Sequence, residues 1–225
     1  MKRLGLLLLA IALMLGGNAF AQNLGDNSVY FVTYYSNANT TGVPDATLRI
    51  VNDGGAACIS DGVASGNLIC KSVSEGGTLW AAIYIFDDSQ EIRSCCACPI
   101  TSDGLLSESV NKQLTSDTFT IHGEFSRGAI KVLSSGTCDP TDPVPIPGLR
   151  GWATHIEATT TTFPGGAGSA VNAKEAGPWF VTETALADSN LSAIELSNLG
   201  TLCGYGLTLG SGYGLCPCTP EDYDF

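Results

Sequence analysis

Short runs of apolar and polar residues, divided by Gly, Pro, Asn and Asp, make up most of this chain. Residues 28–35 are β-branched and aromatic throughout and predict a strand. Residues 47–51 alternate and predict a second, bounded by turn-forming stretches at 37–44 and 52–55. Residues 78–86 are apolar on both faces, which places that strand centrally in a sheet. Asp87, Asp88, Ser89 and Gln90 then turn the chain into residues 91–95, completing a β-hairpin. Further strands are expected over 128–133, 151–159 and 179–185.

Residues 105–114 are ambiguous. Leu106, Val110 and Leu114 recur every four residues, as on a helix, but the Ser and Asn content disfavours one. Residues 192–204 predict a helix. Ser192 and Glu195 have the spacing of a capping box, Leu191 and Leu196 that of a hydrophobic staple. Leu196, Leu199 and Cys203 share a face, and Gly204 is placed to end the helix. Pro140, Pro143, Pro145 and Pro147 make residues 139–148 an extended connector with few backbone donors. Many short strands with one late helix predict a mainly β fold, an antiparallel β-sandwich of the immunoglobulin-like class with one C-terminal helix. No topology is assigned, because the Cys–Trp–Cys spacing of immunoglobulin domains is not matched: Trp80 lies too close to Cys70 and Cys95. The expected division is 1–21, 22–138, 139–148 and 149–225, the last packed on the same domain as the second.

The first 21 residues change the picture. Lys2 and Arg3 precede an apolar run over 4–15, and Ala19-Phe20-Ala21 has the small-x-small form of a cleavage site. This predicts a secretory signal peptide, the run being too short for a membrane span; an uncleaved anchor is the other reading. No later segment is apolar and long enough to cross a bilayer. Lys2 and Arg3 would leave with the leader, so eight basic side chains would face 22 acidic ones, a formal charge of −14. That balance repels phosphate backbones and argues against nucleic acid as a partner. Charged residues are only 14% of the chain and mean hydropathy is +0.18, so there is ample apolar surface to bury. The expected location is secreted or cell-surface, with the periplasm a further option.

There are nine cysteines. In an exported chain they are expected to pair, and an odd number leaves one over. Cys58 and Cys70 flank a Gly- and Ser-bearing stretch, and a local disulfide is the simplest reading. Cys95, Cys96 and Cys98 form one cluster; Cys203, Cys216 and Cys218 form another. Three against three predicts bridges that pin the helix and tail to the sheet. Thiolates also suit zinc, copper(I) and iron–sulfur clusters, so a metal site on these six stays open. Cys138, beside the connector, is the candidate odd thiol.

Recognisable catalytic apparatus is missing. The histidines are His122 and His155, and His155 falls inside an expected strand, where a structural role is the commoner one. No G-x-S-x-G, H-E-x-x-H or Walker-type loop occurs. Asp87 and Asp88 read as turn formers, with calcium the alternative. No cofactor is expected.

Residues 34–39, 85–88, 95–98, 106–111 and 210–216 together resemble a group of exported, cysteine-rich proteins found in acidobacteria. The resemblance spans most of the mature chain and departs at its end, where C-x-x-C is replaced by Cys216-Pro217-Cys218. It implies an exported context and no particular activity.

Three functions follow as expectations. The first is a structural or surface component that self-assembles, with residues 28–35 donated to a neighbour's sheet edge or paired at home. The second is an extracellular binding module with a cysteine metal site. The third, weakest, is an exported hydrolase, which needs a pocket with converging acids.

Overall fold

The computed structural model describes residues 28–54, 57–60, 68–71, 77–119, 125–158, 179–208 and 214–218, with backbone alone for 57–60 and 68–71. The expected leader and His122 lie outside the described residues. Eleven strands occur among those described: β1 (Tyr30–Tyr35), β2 (Thr47–Asn52), β3 (Ala57–Ser60), β4 (Leu68–Lys71), β5 (Leu79–Asp87), β6 (Ile92–Ile100), β7 (Leu105–Ser109), β8 (Gly128–Ser135), β9 (Leu149–Ala158), β10 (Trp179–Ala185) and β11 (Ala187–Asp188). One α-helix, α1 (Ala193–Thr208), follows.

The strands form two antiparallel sheets and a separate hairpin. The first sheet has the order β11-β1-β8-β5-β6, the second β10-β9-β2-β7, and β3 pairs with β4. The expected mainly β sandwich with one C-terminal helix is what the chain forms. Because β9 pairs with β2 from Leu48↔Ala153 to Asn52↔Leu149, the segment after the Pro-rich connector lies in the same sheet as the segment before it.

Strand β5 shows why the core has three layers. Its successive side chains point to opposite faces. Ala81, Ile83 and Ile85 join Leu48, Ile50 and Leu106 in the core between the sheets. Ala82, Tyr84 and Phe86 join Leu199 and Cys203 of α1 in a second core on the outer face of the first sheet. Ile83, Ile85, Leu48 and Ile50 are fully buried, each contributing about 1.5–3 kcal/mol relative to exposure. A strand covered on both sides must be apolar on both.

Two expectations need correction. The four-residue repeat at 106–114 is half strand and half helix: β7 carries Leu106, and one π-helical turn (Val110–Leu114) carries Val110 and Leu114, all three buried. Ser109 caps that turn by accepting from the Lys112 N–H at 2.9 Å. Second, Gly204 does not end α1, which continues to Thr208. The Cys203 bridge described below holds its later turns against the sheet, and Thr208 Oγ1 donates back to Gly204 O at 2.8 Å.

At the start of α1, Ser192 Oγ accepts from the Glu195 N–H at 3.0 Å, half of the capping box. The Glu195 carboxylate turns instead to the sheet, accepting from Tyr30 Oη (2.8 Å) and Lys131 Nζ (2.7 Å). The connector supports the far side of the helix. A Cβ at Gly200 would come within 2.3 Å of Thr141 O, so only glycine allows that approach. Beneath it Tyr84 Oη donates to Pro140 O at 2.8 Å.

Candidate functional site

The chemistry of the cysteines follows from the pleat of β6. Cys95 and Cys96 are neighbours on a strand, so their sulfurs leave on opposite faces. Cys95 points to the helix and bridges Cys203, with Cα atoms 5.9 Å apart. Cys96 and Cys98 share the other face. The tail, residues 214–218, lies alongside in parallel: the Cys95 N–H donates to Gly214 O at 2.8 Å, and Leu215 bridges Cys95. Cys216 and Cys218 therefore fall opposite Cys96 and Cys98. Bridges Cys96–Cys216 and Cys98–Cys218 close, each with Cα atoms 5.3 Å apart. That spacing lies inside the range a disulfide needs. Gly214 makes the entry turn at φ +91°, and Phe119 occupies the space a Cβ would need, 1.7 Å away.

The two stacked bridges form a buried sulfur cluster. Cys96 Sγ and Cys98 Sγ are 3.8 Å apart, and Cys218 Sγ lies within 4.8 Å of both. Oε1 of the fully buried Glu108 is 4.0 Å from Cys98 Sγ. All six clustered cysteines are in disulfide bonds, so none offers a thiolate in this state. Cys138 is free and exposed. The backbone register sets Cys58 directly opposite Cys70, while the side chains that would make their bridge lie outside the described residues. The signal for the ladder was present in sequence: C-x-C occurs twice, and the doublet Cys95-Cys96 forces partners on two faces.

A second polar cluster joins the sheets. The His155 ring is buried and stacks on Tyr34 (centroids 4.1 Å, planes at 18°), and its Nε2 is 2.7 Å from Thr184 Oγ1. Tyr34 Oη donates to Glu157 Oε1 at 3.1 Å. Burial pushes the His155 pKa below its ordinary 6.5. The neutral ring thus ties β1, β9 and β10 together.

Asp87 is committed to its hairpin. Oδ1 accepts from the N–H groups of Ser89 (2.9 Å) and Glu91 (3.0 Å), and Oδ2 takes the Arg93 guanidinium. Burial raises its pKa, but the Arg93 and backbone donors together outweigh that and hold it below its ordinary 3.8. Asp88 pairs with Arg127 at 2.8 Å. Both act as turn residues. A cleft of ≈ 220 Å³ opens between the sheets near Phe31, Leu149, Trp152 and Leu186, and Asp188 is the only acid in its lining.

The edges of the sheets differ. Among the described residues, nothing pairs with the outer edge of β10, whose Phe180 and Val181 are 64% and 55% exposed. Strand β1, for which donation to a neighbour and pairing at home were both open, is paired on both sides within its own chain, with β8 over six residues and with β11 over two.

The chain matches no family model, no curated protein and no solved structure. Among the described residues no helix is long and apolar enough to cross a membrane. What fold and bridges define is a class, a disulfide-clamped β-sandwich of the kind that forms in an oxidising compartment.

Proposed function

We propose that this is an exported structural protein of the cell surface or surrounding medium, which works by assembling with copies of itself through β10. The observation that supports the reading is the bare outer edge of that strand. It is seven residues long, contains no Pro and no Lys, exposes Phe180 and Val181, and carries one charged side chain, Glu183, which is paired with Arg49 of the same sheet. Such an edge is a template for another strand unless it is blunted by charge, Pro or a bulge. The three bridges suit an oxidising space, and the leader-like start and the resemblance to exported cysteine-rich proteins agree with it. In this reading the receiving edge does the joining, and the N-terminal strand serves its own sheet.

The test is light scattering and electron microscopy on oxidised protein over a range of concentrations, comparing the native chain with Val181→Lys. Concentration-dependent oligomers that the lysine abolishes are expected. A native chain that stays monomeric throughout would overturn the reading.

A further inference from the structure

We propose that Cys96, Cys98, Cys216 and Cys218, once their two bridges are reduced, form a tetrathiolate site for zinc or a similar d¹⁰ cation. The inference is independent of assembly through β10.

Three of the four sulfurs already cluster, and the fourth is bonded to one of them. A tetrahedral zinc–thiolate centre has metal–sulfur distances of about 2.3 Å, which sets its sulfurs about 3.8 Å apart. Cys96 Sγ and Cys98 Sγ already stand 3.8 Å apart, and Cys218 Sγ is within 4.8 Å of each. The fourth sulfur, Cys216 Sγ, is bonded to Cys96. Forming the cage therefore requires each bonded pair to open by less than two ångströms and Cys216 Sγ, which lies more than 4.8 Å from at least one of the other sulfurs, to move inward. Two backbone features keep the strands in register without the bridges: the Cys95 N–H to Gly214 O bond and the parallel pairing of Leu215 with Cys95. The third bridge, Cys95–Cys203, lies on the opposite face and takes no part. Cys96, Cys98 and Cys216 are buried, so the site excludes most water. The buried Glu108 carboxyl group lies beside the cluster, its Oε1 4.0 Å from Cys98 Sγ.

The chemistry balances with a phosphine or dithiol as reductant. Each S–S bond accepts two electrons and two protons and becomes two thiols. A phosphine ends as its oxide, taking oxygen from water; a dithiol ends as a disulfide. The metal then displaces the four thiol protons to solvent.

The experiment uses the full chain in a Cys138→Ser background, which removes the exposed thiol. The protein is reduced with a phosphine under argon and titrated with Cd²⁺ as probe. Cadmium–thiolate absorption reports binding, and far-ultraviolet circular dichroism reports the fold. One tightly bound cadmium per chain is expected. It should persist when Cys95→Ser and Cys203→Ser are added, and weaken by at least about 100-fold when Cys98→Ser and Cys218→Ser are added instead. Cys58 and Cys70 are present in every variant and serve as the internal control. Equal binding by the two sets of variants, or no tight binding, would overturn the proposal. So would a reduced chain that loses its β signature and does not regain it with cadmium, because a site made only in the folded chain couples binding to folding.

Discussion

The two sheets treat their edges in opposite ways. In the first, the β1 edge carries only the two-residue β11, and the β6 edge is covered by the tail and locked by two disulfides. Among the described residues, all six bridged cysteines serve strand β6 of that sheet. In the second, β7 ends after five residues in a π-turn, where Asp45 takes the Ser109 hydroxyl and the Asn111 N–H. Its other edge, β10, runs seven residues with no described neighbour on its outer side. Covalent closure is thus spent where the chain covers itself, and the uncovered edge is left without it. One sheet is built to be finished, the other to be continued.

The largest effect should come from breaking the closed side. Cys95 and Cys203 are 108 residues apart. A bridge across so long a loop stabilises by about 4–5 kcal/mol in the chain-entropy picture. The double variant Cys95→Ala, Cys203→Ala should therefore lose roughly that much in a urea titration, less where Cys96–Cys216 and Cys98–Cys218 already shorten the unfolded chain. A loss under about 1 kcal/mol would mean that α1 is held by packing and not by sulfur.

Tyr84 comes next, because it supports the same layer without covalent help. Its buried hydroxyl donates to Pro140 O, and burial pushes its pKa above the ordinary 10.0. Tyr84→Phe keeps the ring and strands that carbonyl, at a cost of about 1–3 kcal/mol. An unchanged urea midpoint would show that water reaches the connector and that the helix layer is looser than the contacts imply.

How much of this contrast was legible in the sequence follows from what each signal measures. The strand-forming run at 179–185 gave the bounds of Trp179–Ala185 as they stand, and an apolar run on both faces placed β5 centrally, because those signals are local. Cys138 as odd thiol and three cysteines facing three were readable as counts. Which sulfur meets which was not, since it depends on the parallel docking of the tail, a contact across 120 residues. Gly204 misled because tertiary anchoring at Cys203 outweighs the local preference of glycine to end a helix. The two-residue β11 carried no periodic signal at all. The closed edge was hidden because it is made by distant partners; the open one was legible as a strand but not as an edge, because strand order is also set by distant pairing.

Acid should separate the sheets in pH. His155 belongs to the second. Its folded pKa lies below the ordinary 6.5, so the unfolded chain binds the proton more readily. Its contribution is complete above pH 6.5 and declines as pH falls toward the folded value. Asp87 and Glu195 support the first sheet. Burial raises both, but Arg93 and backbone donors for Asp87, and Lys131 and Tyr30 for Glu195, outweigh it and hold them below their ordinary 3.8 and 4.5. Their contributions are complete above those values and disappear at lower pH still. Melting temperature should thus fall in two stages, and His155→Gln should flatten only the stage just below pH 6.5. A single stage common to both variants would show that the two sheets do not respond separately to acid.

The smallest change in stability, with the sharpest contrast, should come from lysines on the two edges. Phe180 is 64% exposed on β10; Leu215 is 46% exposed on the tail that covers β6. Neither Phe180→Lys nor Leu215→Lys removes a fully buried side chain, so both should unfold within about 0.5 kcal/mol of the native chain. Their effects on association should diverge. A lysine at 180 puts charge on the edge argued to receive a second copy, and oligomers seen by light scattering should disappear. A lysine at 215 decorates an edge already occupied, and should leave them alone. If the two variants lose association equally, net charge is the cause, because each raises it by one unit. If only Leu215→Lys loses it, the joining surface lies on the clamped side, and the open edge of the second sheet serves some other purpose.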